Sequence, residues 1–247
     1  MERSISTPNI LDIIEIKKAL LKNMNITESF DKDLYLNHLI EKPWGVEYRI
    51  YCDYYFDIWR LQINKNQNTS MHCHLMKDTV LICLAGSGYT KFINGEIYHL
   101  KEGDSIYISK GVFHQTISLQ DQTLHLIEIE NPRNQYDLLR LNDSYGRQYT
   151  TYEKKSALHD GLQAFEQVGL RDFIRKKDLN NSFIFKLVIL STEDTVNPEL
   201  IFIILIGIEN HLSGKIAVIK KDEVNVSLHI EKKALLIFKN KTIMQKQ

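Results

Sequence analysis

His72 and His74 stand two residues apart on either side of Cys73, and His114 follows forty residues after His74. Residues i and i+2 of a strand share a face, so the two imidazoles of a His-x-His pair project to one side. Cys73 then faces the other way and reads as a packing residue. Imidazole is a good ligand for zinc, iron, copper, nickel or manganese. A third histidine from a facing strand would complete a facial metal site that keeps open positions, which metal-assisted catalysis requires. Further along, His125 and Glu128 differ in strand parity, so without a bulge at most one of them points inward. Arg140 and Arg147 carry guanidinium groups suited to bidentate contact with phosphate. They could equally pair with Asp137 or Asp143 in a structural turn. Tyr89 and Lys91, just after Gly86, are further candidates for lining the same interior.

Such a constellation needs strands to hold it. From Trp44 onward, short runs rich in Ile, Val, Tyr and Phe recur: Val46–Tyr51, Tyr55–Ile63, Thr79–Leu84, Tyr89–Ile93, Glu96–Leu100, Ser105–Ile108 and Leu124–Ile129. Asn94-Gly95 between two alternating runs is a strong hairpin signal. Many short antiparallel strands at this spacing predict a sandwich or barrel. Ahead of them, Asn9 can cap a helix that puts Ile10, Ile13, Ile14, Lys17, Leu20 and Leu21 on one stripe. Asp31–Ile40 reads as a second short helix and Lys155–Gly169 as a third. Strands return at Phe183–Leu190, Leu200–Ile206, Lys215–Ile219, Glu223–Leu228 and Ala234–Phe238. Leu81–Gly86 and Ile203–Gly207 are alike, which suggests a weak internal repeat. His211 and His229 of the second block lack the His-x-His pattern and read as surface or packing residues.

Composition removes several classes of function. Lys plus Arg and Asp plus Glu are both 31 in 247 residues, for zero formal charge. A dedicated nucleic-acid binder or a polybasic membrane anchor shows a basic excess. The longest apolar run, Leu200–Ile208, is about half the ~20 residues that span a bilayer. No apolar targeting segment follows the polar stretch Met1–Thr7. Cys52, Cys73 and Cys83 suit a reducing cytoplasm better than a disulfide framework.

The His72-Cys73-His74, Gly86, Gly103, Gly111 and His114 pattern resembles the two motifs of the cupin superfamily. The first family motif runs Gly, five residues, His-x-His, three or four residues, Glu, six residues, Gly. Here it reads Asn66, His72-x-His74, Thr79, Gly86 at matching spacing. The second runs Gly, five residues, Pro-x-Gly, two residues, His, three residues, Asn. It reads Gly103, Ser109-Lys110-Gly111, His114, Ser118. Lys42-Pro43-Trp44-Gly45, Ile127-Glu128-Ile129, Asp137-Leu138-Leu139-Arg140 and Asp143-Ser144-Tyr145-Gly146-Arg147 narrow the resemblance to particular cupin domains. These are the cupin domains of type II mannose-6-phosphate isomerases and mannose-1-phosphate guanylyltransferases. The resemblance covers roughly residues 42–147.

The resemblance implies an all-β cupin, a double-stranded β-helix or jelly-roll barrel. The expected organisation is a helical N-terminal segment at 1–41, the cupin domain with its metal motif at 42–150, and a helical linker with a degenerate second cupin-like barrel at 151–247. It assigns His72, His74 and His114 to a divalent metal (Zn, Mn, Fe or Ni), Glu128 to acid–base catalysis, and Arg140 and Arg147 to the substrate. The family's metal-binding Glu falls on Thr79, with Asp78 adjacent as a substitute. The implied activity is isomerase-like chemistry on a sugar phosphate or sugar nucleotide in carbohydrate metabolism, by a cytoplasmic protein expected to form a homodimer. The rivals are a three-His iron dioxygenase and a non-catalytic sugar-binding cupin with a decayed site.

Overall fold

Alternation of period two along the first 160 residues builds two facing sheets. The structure, a computed structural model, describes residues 4–22, 35, 38–53, 55–119, 121–133, 137–147, 156–158, 174–177, 182–189, 199–207, 215–220 and 233–239. These fall in two units, Met1–Ala164 and Phe165–Gln247. No helix among the described residues is long and apolar enough to cross a membrane.

In the first unit the elements are β1 (Ser4–Ser6), α1 (Ile10–Leu21), β2 (His38–Lys42), β3 (Gly45–Cys52), β4 (Asp57–Ile63), β5 (Met71–Cys73) and β6 (Asp78–Ala85). They continue with β7 (Ser87–Phe92), β8 (Ile97–Lys101), β9 (Ser105–Ile108), β10 (His114–Ser118), β11 (Leu124–Asn131), β12 (Leu139–Asn142) and β13 (Ser156–Leu158). One sheet has the order β1-β9-β6-β11-β4-β3-β2-β13 and the other β12-β5-β10-β7-β8. The pairing is antiparallel except for β1 with β9. Trp59, Leu81, Ile106 and Leu126 of the first sheet pack with Phe92 and Leu100 of the second, so the core lies between the sheets. The strand pattern predicts a sandwich or barrel, and the double-stranded β-helix is what the resemblance implies; the two facing sheets have that architecture.

Two backbone positions explain residue choices in the motifs. Asn66, where the family has glycine, sits at φ 62, in the left-handed region that Asn tolerates better than most residues. At Gly45, φ is +151 and an added Cβ would lie 1.9 Å from the Gln62 carbonyl oxygen, so the β3–β4 pairing requires glycine there.

Helix α1 forms where its cap predicts. Asn9 Oδ1 accepts from Leu11 N at 2.8 Å and Asp12 N at 3.3 Å, and Asn9 N donates back to Asp12 Oδ2 at 2.8 Å. Its apolar stripe, however, is not the packed face. Ile10, Ile13 and Leu20 are 67%, 54% and 54% exposed, while Asp12 and Ala19 are buried. The helix is oriented by Asp12, whose Oδ1 accepts from Phe113 N at 2.8 Å. The helices expected at Asp31–Ile40 and Lys155–Gly169 are corrected in part. His38–Ile40 begin β2, and Ser156–Leu158 form β13, which pairs with it. Pairing of β2 with β3 leaves Ile40 fully buried, a tertiary gain that overrides local helical pattern. Most of the remaining positions of both expected helices lie outside the described residues.

In the second unit, β14 (Ile174–Lys177), β15 (Phe183–Ile189), β16 (Leu200–Gly207), β17 (Lys215–Lys220) and β18 (Lys233–Lys239) form one antiparallel sheet, in the order β14-β15-β18-β16-β17. Ile184, Val188, Ile203 and Leu236 belong to its core. Among the described residues this unit shows that single sheet; the second facing sheet of another barrel is not among them. The strand expected at Glu223–Leu228, and His211 and His229, lie outside the described residues.

Candidate metal centre

His72 is on β5 and His114 on the antiparallel neighbour β10, directly opposite each other in register. On the other side of β5, Arg140 of β12 is the register partner of His72, so Arg140, His72 and His114 form one row across the sheet. His74 lies just past the end of β5. The ring centroids are 4.5 Å apart for His72–His114, 5.1 Å for His72–His74 and 5.7 Å for His74–His114. One ring nitrogen from each lies within 4.8 Å of the other two.

Their hydrogen bonds settle which nitrogen is left over. His72 Nδ1 contacts the Ser70 carbonyl at 2.8 Å, His114 Nδ1 the Val112 carbonyl at 3.0 Å, and His74 Nδ1 the Asp137 carbonyl. A carbonyl only accepts, so each Nδ1 carries the hydrogen and each Nε2 keeps a bare lone pair. Backbone carbonyls that orient metal-binding imidazoles in this way are a regular outer-shell feature. Burial holds all three rings below the usual histidine pKa, His114 at about 4, with Lys77 adding repulsion at each. Neutral imidazole is the form that binds a metal. His74 Nε2 is buried with no hydrogen-bond partner, as expected of a nitrogen reserved for a cation. The donor set fits a divalent metal of the zinc, manganese, iron or nickel type.

Asp137 organises the rim. Beyond its carbonyl contact with His74, its carboxylate accepts from the backbone N–H groups of Leu75, Met76 and Lys77 at 2.8, 2.7 and 3.0 Å. Gly111 N donates to the His74 carbonyl at 2.6 Å, tying the two motifs together.

The histidines line a cavity between the sheets whose walls also include Trp44, Trp59, Leu61, Leu81 and Leu126. Glu128 lines it too, and the parity argument resolves in its favour: His125 instead meets Arg60 Nη2 through Nδ1 at 2.6 Å. Burial, and then the neighbouring Glu130 charge, push the Glu128 carboxyl up to about 8. Arg140 is buried in the wall and Arg147 lines it as well. Arg147 also makes the structural pair: its Nε and Nη2 donate to Asp143 Oδ2 and Oδ1 at 2.9 and 3.0 Å.

Tyr89 and Lys91 do not line the cavity. On β7 the alternation turns Thr90 inward, where its hydroxyl meets that of Thr116 at 3.1 Å, and leaves Lys91 exposed. Asp78 does not substitute for the family carboxylate either. Its Oδ1 accepts from Lys110 N at 2.8 Å and its side chain bonds Tyr107, on the far side of the strand. Trp44 and Trp59 belong both to the core and to the cavity wall.

Four wall residues were not anticipated. Lys77 pairs with Glu130, and Lys42 Nζ lies 3.1 Å from Glu47 Oε1; all four are buried. Glu130 was legible in principle, since it shares strand parity with Glu128. Lys77 sits in a loop without periodicity and gave no such signal.

Two facing antiparallel sheets with three converging, backbone-oriented imidazoles define a β-helix barrel with a candidate metal centre. The family model described as a cupin domain (Cupin_2) matches residues 59–130, and this part of the chain is a cupin domain. Over 115 residues the chain is 27% identical to mannose-1-phosphate guanylyltransferase ManC of Salmonella typhimurium, covering 46% of this chain and 24% of that protein. The chain thus spans about a quarter of the length of the curated relatives it matches. Similar solved structures include the capsular polysaccharide assembling protein CapF of Staphylococcus aureus, with 18% identity, TM-score 0.38, and coverage of 42% of this chain and 34% of that one. KdgF from Halomonas sp. is another, with 15% identity, TM-score 0.36, and coverage of 39% and 88%.

Proposed function

We propose that the cavity is a metal-dependent active site for isomerase-like chemistry on a sugar phosphate or sugar nucleotide. The observation that carries this reading is the set of three imidazoles whose Nδ1 atoms are tied to backbone carbonyls, in a cavity that also holds Glu128 and Arg140. The similarity to mannose-1-phosphate guanylyltransferases supports a sugar phosphate as the ligand class.

A divalent metal, when bound, polarises a carbonyl and its neighbouring hydroxyl and so makes the adjoining C–H acidic. His72, His74 and His114 would hold it. Glu128 faces the same cavity and carries the proton between adjacent carbons at a carboxyl oxygen. Arg140 orients the phosphate with its planar guanidinium, with Lys42 and Arg147 also lining the cavity. Trp44, Trp59 and Leu61 exclude water from the reacting end.

The test is isomerisation of hexose and pentose phosphates, followed by proton NMR, after loading with zinc, manganese, iron or nickel. Turnover that falls by about 10²–10⁴ in Glu128→Gln, with metal content unchanged, supports the proposal. Thermal stabilisation by sugar phosphates without turnover by any loaded form would instead identify a binding protein.

A further inference from the structure

Thr79 occupies the position of the cupin metal-binding carboxylate, and a hydroxyl cannot replace the lost negative charge. Its Oγ1 is buried without a hydrogen-bond partner. The residue directly opposite it on β11 is Glu130. Thr79 and Leu81 share a face of β6, and Glu128 and Glu130 share the matching face of β11. Glu130 is 4% exposed; one carboxylate oxygen meets Lys77, and the other, Oε2, is buried with no partner. A carboxylate oxygen of Glu130, one of Glu128 and a ring nitrogen of His74 lie within 4.8 Å of one another.

Three orphaned buried polar atoms therefore belong to neighbouring side chains: His74 Nε2, Glu130 Oε2 and Thr79 Oγ1. A cation between His74 and Glu130, which lie within one candidate ligand group, would satisfy both side chains. We infer that Glu130 supplies the anionic metal ligand that Thr79 cannot, delivered from the adjacent strand, and that Lys77 holds this carboxylate until the metal takes it. The inference rests on the three-histidine metal site proposed above. It differs from the family pattern in the strand that provides the carboxylate. Glu130 is favoured over Glu128 because it is the cross-strand partner of Thr79 and because its free oxygen is fully enclosed.

Cobalt(II) titration of the full chain, followed by visible d–d absorption, tests this without any activity assay. Glu130→Gln should weaken cobalt binding by more than the ~10–100-fold typical of losing an outer-shell partner, and should shift the bands. Because that variant leaves Lys77 buried and unpaired, Lys77→Met with Glu130→Gln is the folding control and should show the same loss. Adding Thr79→Glu to that pair should restore the affinity. Glu130→Gln binding cobalt as the wild type does, or Glu128→Gln showing the loss instead, would overturn the inference while His74→Ala still abolished binding. Wild type and His74→Ala giving the same titration would remove the metal site itself.

Discussion

Asp137 and His74 are joined through the main chain of one and the side chain of the other: the imidazole Nδ1–H donates to the Asp137 carbonyl. At the same residue the Asp137 carboxylate collects the N–H groups of Leu75, Met76 and Lys77. A single buried aspartate on the exit segment thus sets the ring of one histidine and the loop that follows it. Asp137→Ala should destabilise the chain by about 3 kcal/mol, because three N–H groups, that of Lys77 buried, lose one shared charged acceptor. Asp137→Asn should cost less. Urea denaturation checks both.

Helix α1 is docked by a polar contact and not by its apolar stripe. Asp12→Ala removes both the capping-box return and the acceptor for Phe113 N, and should cost about 1–2 kcal/mol. Ile10→Ser, at a residue 67% exposed, should stay within ~0.5 kcal/mol of wild type. Thermal melts of the two variants should rank them in that order.

Much of this was readable in the residues, and the failures have identifiable causes. The strands at Ser105–Ile108 and Leu124–Asn131, and the Asn94-Gly95 hairpin, follow from alternation and turn chemistry, both local properties. The three histidines were found because their spacing is itself the signal. The strand Leu139–Asn142 was not, since an alternation of four residues is too short to stand out and β12 is held by its neighbour β5. The stripe of α1 misled because amphipathicity says that a face can pack, whereas Asp12 decides which face does. Tyr89 and Lys91 share a strand face with each other and not with the inward Thr90, so β7 turns both away from the cavity.

The Asp143–Arg147 pair makes acid sensitivity predictable. Burial alone would raise the Asp143 carboxyl, but the hydrogen bonds from the Arg147 side chain and backbone outweigh it and hold the group below the ordinary value of 3.8. The unfolded chain therefore takes up this proton first as pH falls. The pair's contribution is present above about pH 4 and is lost as pH drops through the folded value. Between about pH 5 and pH 2, Asp143→Asn should show a shallower fall in melting temperature than wild type.

All three cysteines are buried and none is in a disulfide. Burial pushes the Cys83 thiol up to about 12 and raises that of Cys73 as well. Thiolate is the reactive form, so neither should react with a thiol reagent at neutral pH while the chain is folded. A chromogenic disulfide reagent should release no prompt signal from the native protein and three equivalents after denaturation, matching Cys52, Cys73 and Cys83.

The Nε2 atoms of His72, His74 and His114 are placed to receive a cation, since each Nδ1 is bonded to a backbone carbonyl. Equilibrium dialysis of the purified chain against zinc, with metal and protein quantified together, tests this most directly. One tightly held zinc per chain is expected in the wild type and none in His74→Ala or in His72→Ala with His114→Ala. A wild-type chain that retains no metal, or variants that retain as much as it does, would contradict it.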